Sequence, residues 1–426
     1  MINQRKNFIK PDWLIITIYI LLAGFGIGNI LSSSISGDDI SLFEFNNLYS
    51  KQLVFFMISI LFAFVVMTIE VKFYERFTSI FYLISIVVLV GLFVFGKRVN
   101  GALSWYDFGG FNLQPSEFVK ITVALAIAKY ISDFQTNLKK TIDQFWLFLI
   151  ILIPVVIIAL QNDTGSSIVF FCLFIVFYRE GISQKYLLSI LAISILAIFT
   201  LKFSAFYSFL FSLVPTILFF LIKRKMNNKI IKLFAISMLS LLTCFVVDYS
   251  YKNILRTHQQ NYIKVWLNLE KDPAKIKKME RTVLYNINES KKAISSGGVV
   301  GKGYMKGTRT MGNFVPAQHS DYIFSTIGEE WGFIGSVFII ILYCILIYRI
   351  VYLSELQKNK FSRVYGYSTA SILFIHFCIN IGMVLGLTPT IGIPLPFLSY
   401  GGSSLIAFTI LLFIFIRFDA NKINEW

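Results

Sequence analysis

Charge is scarce in this chain: only 15% of its 426 residues are Asp, Glu, Lys or Arg, 56% are apolar or aromatic, and mean hydropathy is +0.70. That balance excludes a disordered chain and a cytosolic or secreted globular fold, both of which need more surface charge. Cysteine is scarcer still. Cys172, Cys244, Cys344 and Cys378 lie in apolar stretches without CxxC or metal-like spacing, so they read as packing residues and no disulfide is expected. The net charge of +16 would suggest nucleic acid in a soluble protein; here it is divided among loops, and no nucleic acid partner is expected.

What the sequence has in plenty is long apolar runs. They fall near 13–31, 51–69, 78–96, 116–133, 144–161, 165–178, 186–202, 206–222, 231–249, 320–348, 366–386 and 402–418. The first is too long for a signal-peptide core and has no small-residue cleavage motif, so it is expected to stay as a helix. A membrane crossing takes about 20 apolar residues, and barrel strands would alternate over about 10. The expected fold is therefore all-α: a polytopic transmembrane helix bundle with about 12 spans, a single integral membrane domain over 1–426.

Basic residues give the orientation, because short cytoplasmic loops collect Lys and Arg. With Arg5, Lys6 and Lys10 inside, every even span returns to a basic flank: Lys72/Arg76, Lys139/Lys140, Arg179/Lys185, Lys223 to Lys232, Arg349 to Arg363, and Arg417/Lys422. That makes 20 basic residues inside against Lys97, Arg98 and Lys202 on short outer loops, and both termini are expected in the cytoplasm. The one long loop, 251–318, then lies outside, with 13 Lys/Arg against four Asp/Glu. Loops beyond about 60 residues escape the rule. Arg256, Lys264, Lys271, Lys275, Lys277, Lys278, Arg281, Lys291, Lys292, Lys302, Lys306 and Arg309 would set a positive potential above the outer leaflet, suited to an anionic ligand or headgroup. The glycine-rich end of the loop (Gly297, Gly298, Gly301, Gly303) allows close backbone approach to phosphate, although Ser296 and Gly303 break the P-loop pattern.

Polar residues inside or beside spans are costly and so informative. Glu117 and Lys120 share a helical face three residues apart, either as an orienting ion pair or in a direct role. Asp163 stands at a tight turn that it could cap. Asp321 joins the basic loop to the tenth span, where a partly desolvated carboxylate would have its pKa raised towards that of a general base; Ser320 and Asp321 could equally cap the helix. Glu329 and Glu330 would lie about 12 Å deeper at 1.5 Å per residue. His319 has no second histidine nearby and reads as orienting or capping rather than metal-binding. Pro389, Gly392, Pro394, Pro396 and Ser399 to Ser404 break the chain between the last two spans, which is tolerated only where protein or a wet cavity lines it.

Read together, Gln114-Pro115-Ser116-Glu117-Phe118-Val119-Lys120, Asp163-Thr164-Gly165-Ser166-Ser167, Ser290-Lys291 on to Gly303, His319-Ser320-Asp321-Tyr322-Ile323-Phe324 with Gly328 to Gly332, and Pro394 to Ser403 resemble the SEDS family of polytopic cell-wall polymerases, nearer its RodA branch than FtsW. The resemblance implies a peptidoglycan glycosyltransferase that polymerises lipid II outside the cytoplasmic membrane for elongation and cell shape. It implies a class B penicillin-binding protein and other elongation-complex membrane proteins as partners, undecaprenyl diphosphate as leaving group, and a divalent cation only as an option. The family's essential acid falls on Asp321 as general base, with Lys291 and Lys302 at the diphosphate and His319, Glu117, Lys120 and Ser403 as further substrate-binding candidates. The sequence departs from the family pattern in an extra helix pair between 184 and 249, in Ser104 where an Arg is usual, in Ala317 after Pro316, and in Asn162 and Thr164 around Asp163. A lipid-linked precursor flippase and a non-catalytic scaffold are the rival readings.

Overall fold

In the computed structural model, residues 11–34, 47–99, 101–222, 229–255, 257–267, 269, 270, 272 and 284–422 are described. Arg5, Lys6, Lys10, Lys223 to Lys225, Arg256, Lys271, Lys275, Lys277, Lys278 and Arg281, named above for their charge, lie outside the described residues. The architecture is helical because the runs are continuous, and an apolar run can satisfy its own backbone in lipid only as a helix. Two compact units divide the chain: residues 1–182 with 289–426, and residues 183–288.

The first unit begins with α1 (Trp13–Ser34), α2 (Leu48–Thr68) and α3 (Val71–Phe95). A small antiparallel sheet then interrupts the helices: β1 (Lys97–Val99), β2 (Ala102–Asp107) and β3 (Asn112–Leu113), in that order. This was not expected from an all-helical reading. Gly101 and Gly109, at φ 89° and 80°, supply its turns. Its central strand is fixed by Leu103 N donating to Gln161 O at 2.9 Å. Next come α4 (Pro115–Ser132), α5 (Thr141–Leu160), and α6 (Thr164–Val169) joined through a 3₁₀ turn to α7 (Leu173–Arg179).

The second unit carries α8 (Gln184–Phe203), α9 (Ala205–Ile222), α10 (Lys229–Tyr249) and α11 (Thr257–Trp266). The stretch 184–249, where the sequence suggests an extra helix pair, falls within it. The first unit resumes with α12, which begins at the boundary (Tyr285–Gly297), then α13 (Thr308–Met311), α14 (Ile323–Glu355), α15 (Lys360–Val384) and α16 (Gly402–Asn421).

Among the described residues ten helices are long and apolar enough to cross a membrane. The other two expected spans are also helical. One is α4, which carries Glu117, Lys120 and Lys129; the other is the 16-residue apolar stretch Thr164–Arg179, broken by its 3₁₀ turn. The chain is a multi-pass membrane protein. In the first unit α16 is its innermost span, with 94% of its apolar window buried.

Residues 385–401, between α15 and α16, form a non-helical strap inside the first unit. Its backbone groups find partners in buried side chains, as non-helical chain away from water must. Gly401 N donates to Gln52 Oε1 at 3.2 Å, Tyr343 donates to Pro396 O, and Leu395 N donates to Ser399 Oγ at 2.8 Å. Gly26 on α1 lets the strap come close, since a Cβ there would sit 2.7 Å from Leu398 Cα.

Candidate active site

Asp321 sits on the turn that leads into α14. That turn is pinned to the strap by Tyr400 N donating to His319 O at 2.8 Å and Ser399 Oγ donating to Ser320 O at 2.7 Å. Gly392, at φ 73°, backs onto the carboxylate, and a Cβ there would lie 3.3 Å from Asp321 Oδ2. Two non-glycine residues flanking the site, Ala317 and Phe397, are held at φ 57° and 68°, a backbone cost that functional sites tend to carry. The Asp321 side chain is half-buried and accepts no hydrogen bond among the described residues. Loss of water around it therefore pushes its carboxyl up to about 6. Burial lowers the His319 imidazole below its ordinary value, keeping that ring neutral at neutral pH; it meets Tyr400 edge-on at 5.7 Å.

Glu329 is the opposite case. Its carboxylate accepts from Lys302 Nζ at 2.7 Å, Arg309 N at 3.0 Å, Thr310 N at 2.8 Å and Thr310 Oγ1 at 2.8 Å, with Thr308 and Ser296 hydroxyls at 3.3 and 3.4 Å. The loop's main chain lies on the same segment: Lys302 N donates to Glu329 O, Gly303 N to Glu330 O, Phe333 N to Gly298 O and Ile334 N to Val299 O. α14 breaks at Gly332 (φ 65°, ψ −158°) to receive it. Glu329 and Glu330 stand on the helical stretch before that break. Glu329 anchors the loop that carries Lys302 and Arg309, and Glu330 accepts from Ser32 on α1.

The other candidate residues are placed as follows. Glu117 and Lys120 form the expected pair at 2.7 Å, but both are sealed from solvent, and Lys120 Nζ also lies 2.9 Å from His376 Nε2. Asp163 does cap α6, accepting from Ser166 N at 3.0 Å and also from Gln114 Nε2 at 3.1 Å. Ser403 Oγ donates to Asn112 O at 2.8 Å and accepts from Gln114 N at 3.2 Å, so its hydroxyl ties β3 to α16. Lys302 is the ion-pair partner of Glu329. Lys291, on α12, is exposed and has no ion pair among the described residues. Among the described residues no cluster of three or more His, Cys, Asp or Glu side chains is arranged to hold a metal ion.

The family model for the FtsW, RodA and SpoVE cell cycle proteins matches residues 12–216 and 207–424. The chain belongs to that family. It is 30% identical to the peptidoglycan glycosyltransferase MrdB of Escherichia coli K12 over 405 residues, 94% of this chain and 90% of the relative. It is 28% identical to the peptidoglycan glycosyltransferase RodA of Treponema pallidum over 433 residues, 92% of this chain and 94% of the relative. Two solved structures share the fold. One belongs to a peptidoglycan synthase complex that coordinates polymerization and crosslinking (TM-score 0.70, 22% identity, 97% of this chain and 99% of that one). The other is the rod shape determining protein RodA of Thermus thermophilus (TM-score 0.62, 22% identity, 98% and 99%).

In this FtsW/RodA/SpoVE chain, the sequence reading missed His376 and Asn380. Both are buried on α15, and both bond the strap. A signal was present: two polar residues four apart inside an apolar span share one face, and such residues turn towards the bundle interior.

Proposed function

We propose that the protein is a peptidoglycan glycosyltransferase that polymerises lipid II at the outer face of the cytoplasmic membrane, with Asp321 as its general base. One observation carries the assignment: Asp321 is a half-buried carboxylate without a hydrogen-bond donor among the described residues, raised to about 6 by loss of water. A base of that strength is largely ionised at neutral pH yet still takes a proton effectively. The acceptor sugar's 4-hydroxyl attacks the anomeric carbon of the donor while Asp321 takes the hydroxyl proton. The bond to undecaprenyl diphosphate breaks, and the anomeric centre inverts. Lys291 faces solvent for the departing diphosphate, and Lys302 adds positive charge from its tether on Glu329. Glu117, Lys120 and Ser403 act by holding α4, α15, β3 and α16 in register rather than by touching sugar.

The positive-inside distribution supports cytoplasmic termini and an outward loop. A class B penicillin-binding protein is the proposed partner, a reading supported by the likeness to a chain from a polymerising and crosslinking complex. The test is a lipid II polymerisation gel on the purified protein with its partner. Glycan strands are expected from wild type when substrate is supplied on the outer face alone, and none from Asp321→Asn. Full activity in that variant would remove the assigned base, and a need for substrate on the inner face would favour a flippase.

A further inference from the structure

Asn380 uses one amide group to hold two backbone segments. Its Nδ2 donates to Asp321 O at 2.9 Å and to Ile393 O at 2.7 Å. The turn that bears Asp321 and the strap residue next to Gly392 are thus tied through a single side chain on α15. One helical turn earlier, His376 makes a parallel tie to the strap, with Nδ1 3.1 Å from Pro394 O. Its other nitrogen lies 2.9 Å from Lys120 Nζ. A lysine ammonium can only donate, so Nε2 accepts and the ring proton sits on Nδ1, where it is donated to Pro394 O. Glu117, 2.7 Å from Lys120 Nζ, keeps that ammonium in place.

The tie at Asn380 has the features of a specific requirement. Its Oδ1 is buried without a partner among the described residues, so only the donor half of the amide is used. An apolar side chain would fill the same space without that desolvated oxygen, but it could not join the two carbonyls. The titratable groups around the turn are His319 and Tyr400 at the site and His376 with the Lys120–Glu117 pair behind it. None of them bonds the Asp321 carboxylate among the described residues.

We propose that Asn380 is a positioning residue for Asp321, setting the carboxylate against the Gly392 strap through the backbone carbonyls of 321 and 393. His376, kept in its donor tautomer by Lys120, is the second tie. The proposal rests on the reading of Asp321 as the base, and its test separates the two.

Polymerisation kinetics of the full chain with its partner are measured for wild type, Asn380→Ala, Asn380→Ser and Asp321→Asn as a function of pH. Misplacement by about 1 Å costs about 10²-fold, so Asn380→Ala should lose about that factor in kcat with KM for lipid II within about twofold. The acid limb of its pH profile, near pH 6 in wild type, should move to lower pH as water reaches the loosened carboxylate. Asn380→Ser, which keeps one donor, should fall between the two and is the informative variant if the alanine form does not fold. Wild-type kcat in a folded Asn380 variant, or a loss of kcat with an unmoved acid limb, would overturn the proposal. If Asp321→Asn is inactive while Asn380→Ala behaves as wild type, the tie alone fails. If Asp321→Asn is fully active, the base assignment fails first.

Discussion

Asp321 and Glu329 stand eight residues apart on one stretch of chain and meet opposite environments. Six donors converge on Glu329, while Asp321 has none among the described residues. The saturated carboxylate holds a loop, since every lone pair it could offer to chemistry already has a partner. The bare one keeps its lone pairs open, and its environment resists ionisation instead of rewarding it. Depth in the membrane does not separate the two roles; the distribution of hydrogen-bond donors does.

The largest effect that would break this contrast is on turnover. Asp321→Asn should lower polymerisation by about 10²- to 10⁴-fold, the usual contribution of a general base, with the protein still folded by size-exclusion chromatography. Next in size is stability at the other carboxylate. Glu329→Ala leaves Lys302 and two backbone N–H groups without their acceptor, and it should cost about 3–5 kcal/mol, read as a fall in Tm. If Glu329→Ala were as stable as wild type, the loop would be held by its main chain alone.

Smaller, and opposite in sign, is the effect of pH on stability at Asp321. Its folded pKa of about 6 exceeds the ordinary 3.8, so the folded state holds the proton more tightly between those values. The stability this gives is present below about pH 4 and lost as pH rises through about 6. Above that window Asp321→Asn, which mimics the protonated acid, should be more stable than wild type by about 1–3 kcal/mol, and the gap should close at pH 4. The smallest effect is expected at a third carboxylate. Asp107 is held below its ordinary pKa by a hydrogen bond from Lys97 at 2.6 Å, in a pair open to solvent. Lys97→Ala should leave both Tm and polymerisation unchanged, because exposed pairs contribute little.

Much of this was legible in the sequence for identifiable reasons. The helices follow from continuous apolar runs, and the Glu117–Lys120 pair from a spacing of three on one face. Asp321 stood out because a carboxylate beside a span and a basic loop is costly to keep. What the sequence hid depends on partners far away in the chain. The partner of Lys302, Glu329, lies 27 residues on, and that of Ser403, Asn112, lies 291 residues back. The sheet between α3 and α4 escaped notice because strands of two to six residues carry almost no period.

The clasp between residues 298–303 and 329–334 is made of peptide groups on both sides. Recognition of that kind is blind to side-chain identity, so exposed positions such as Val299 and Val300 can be exchanged while the clasp is retained, whereas Lys302 is tied to Glu329. Gly301 and Gly332 have no such freedom, because each presses its bare Cα against the opposing main chain. The clasp can therefore change its exposed side chains, with the two glycines as fixed points.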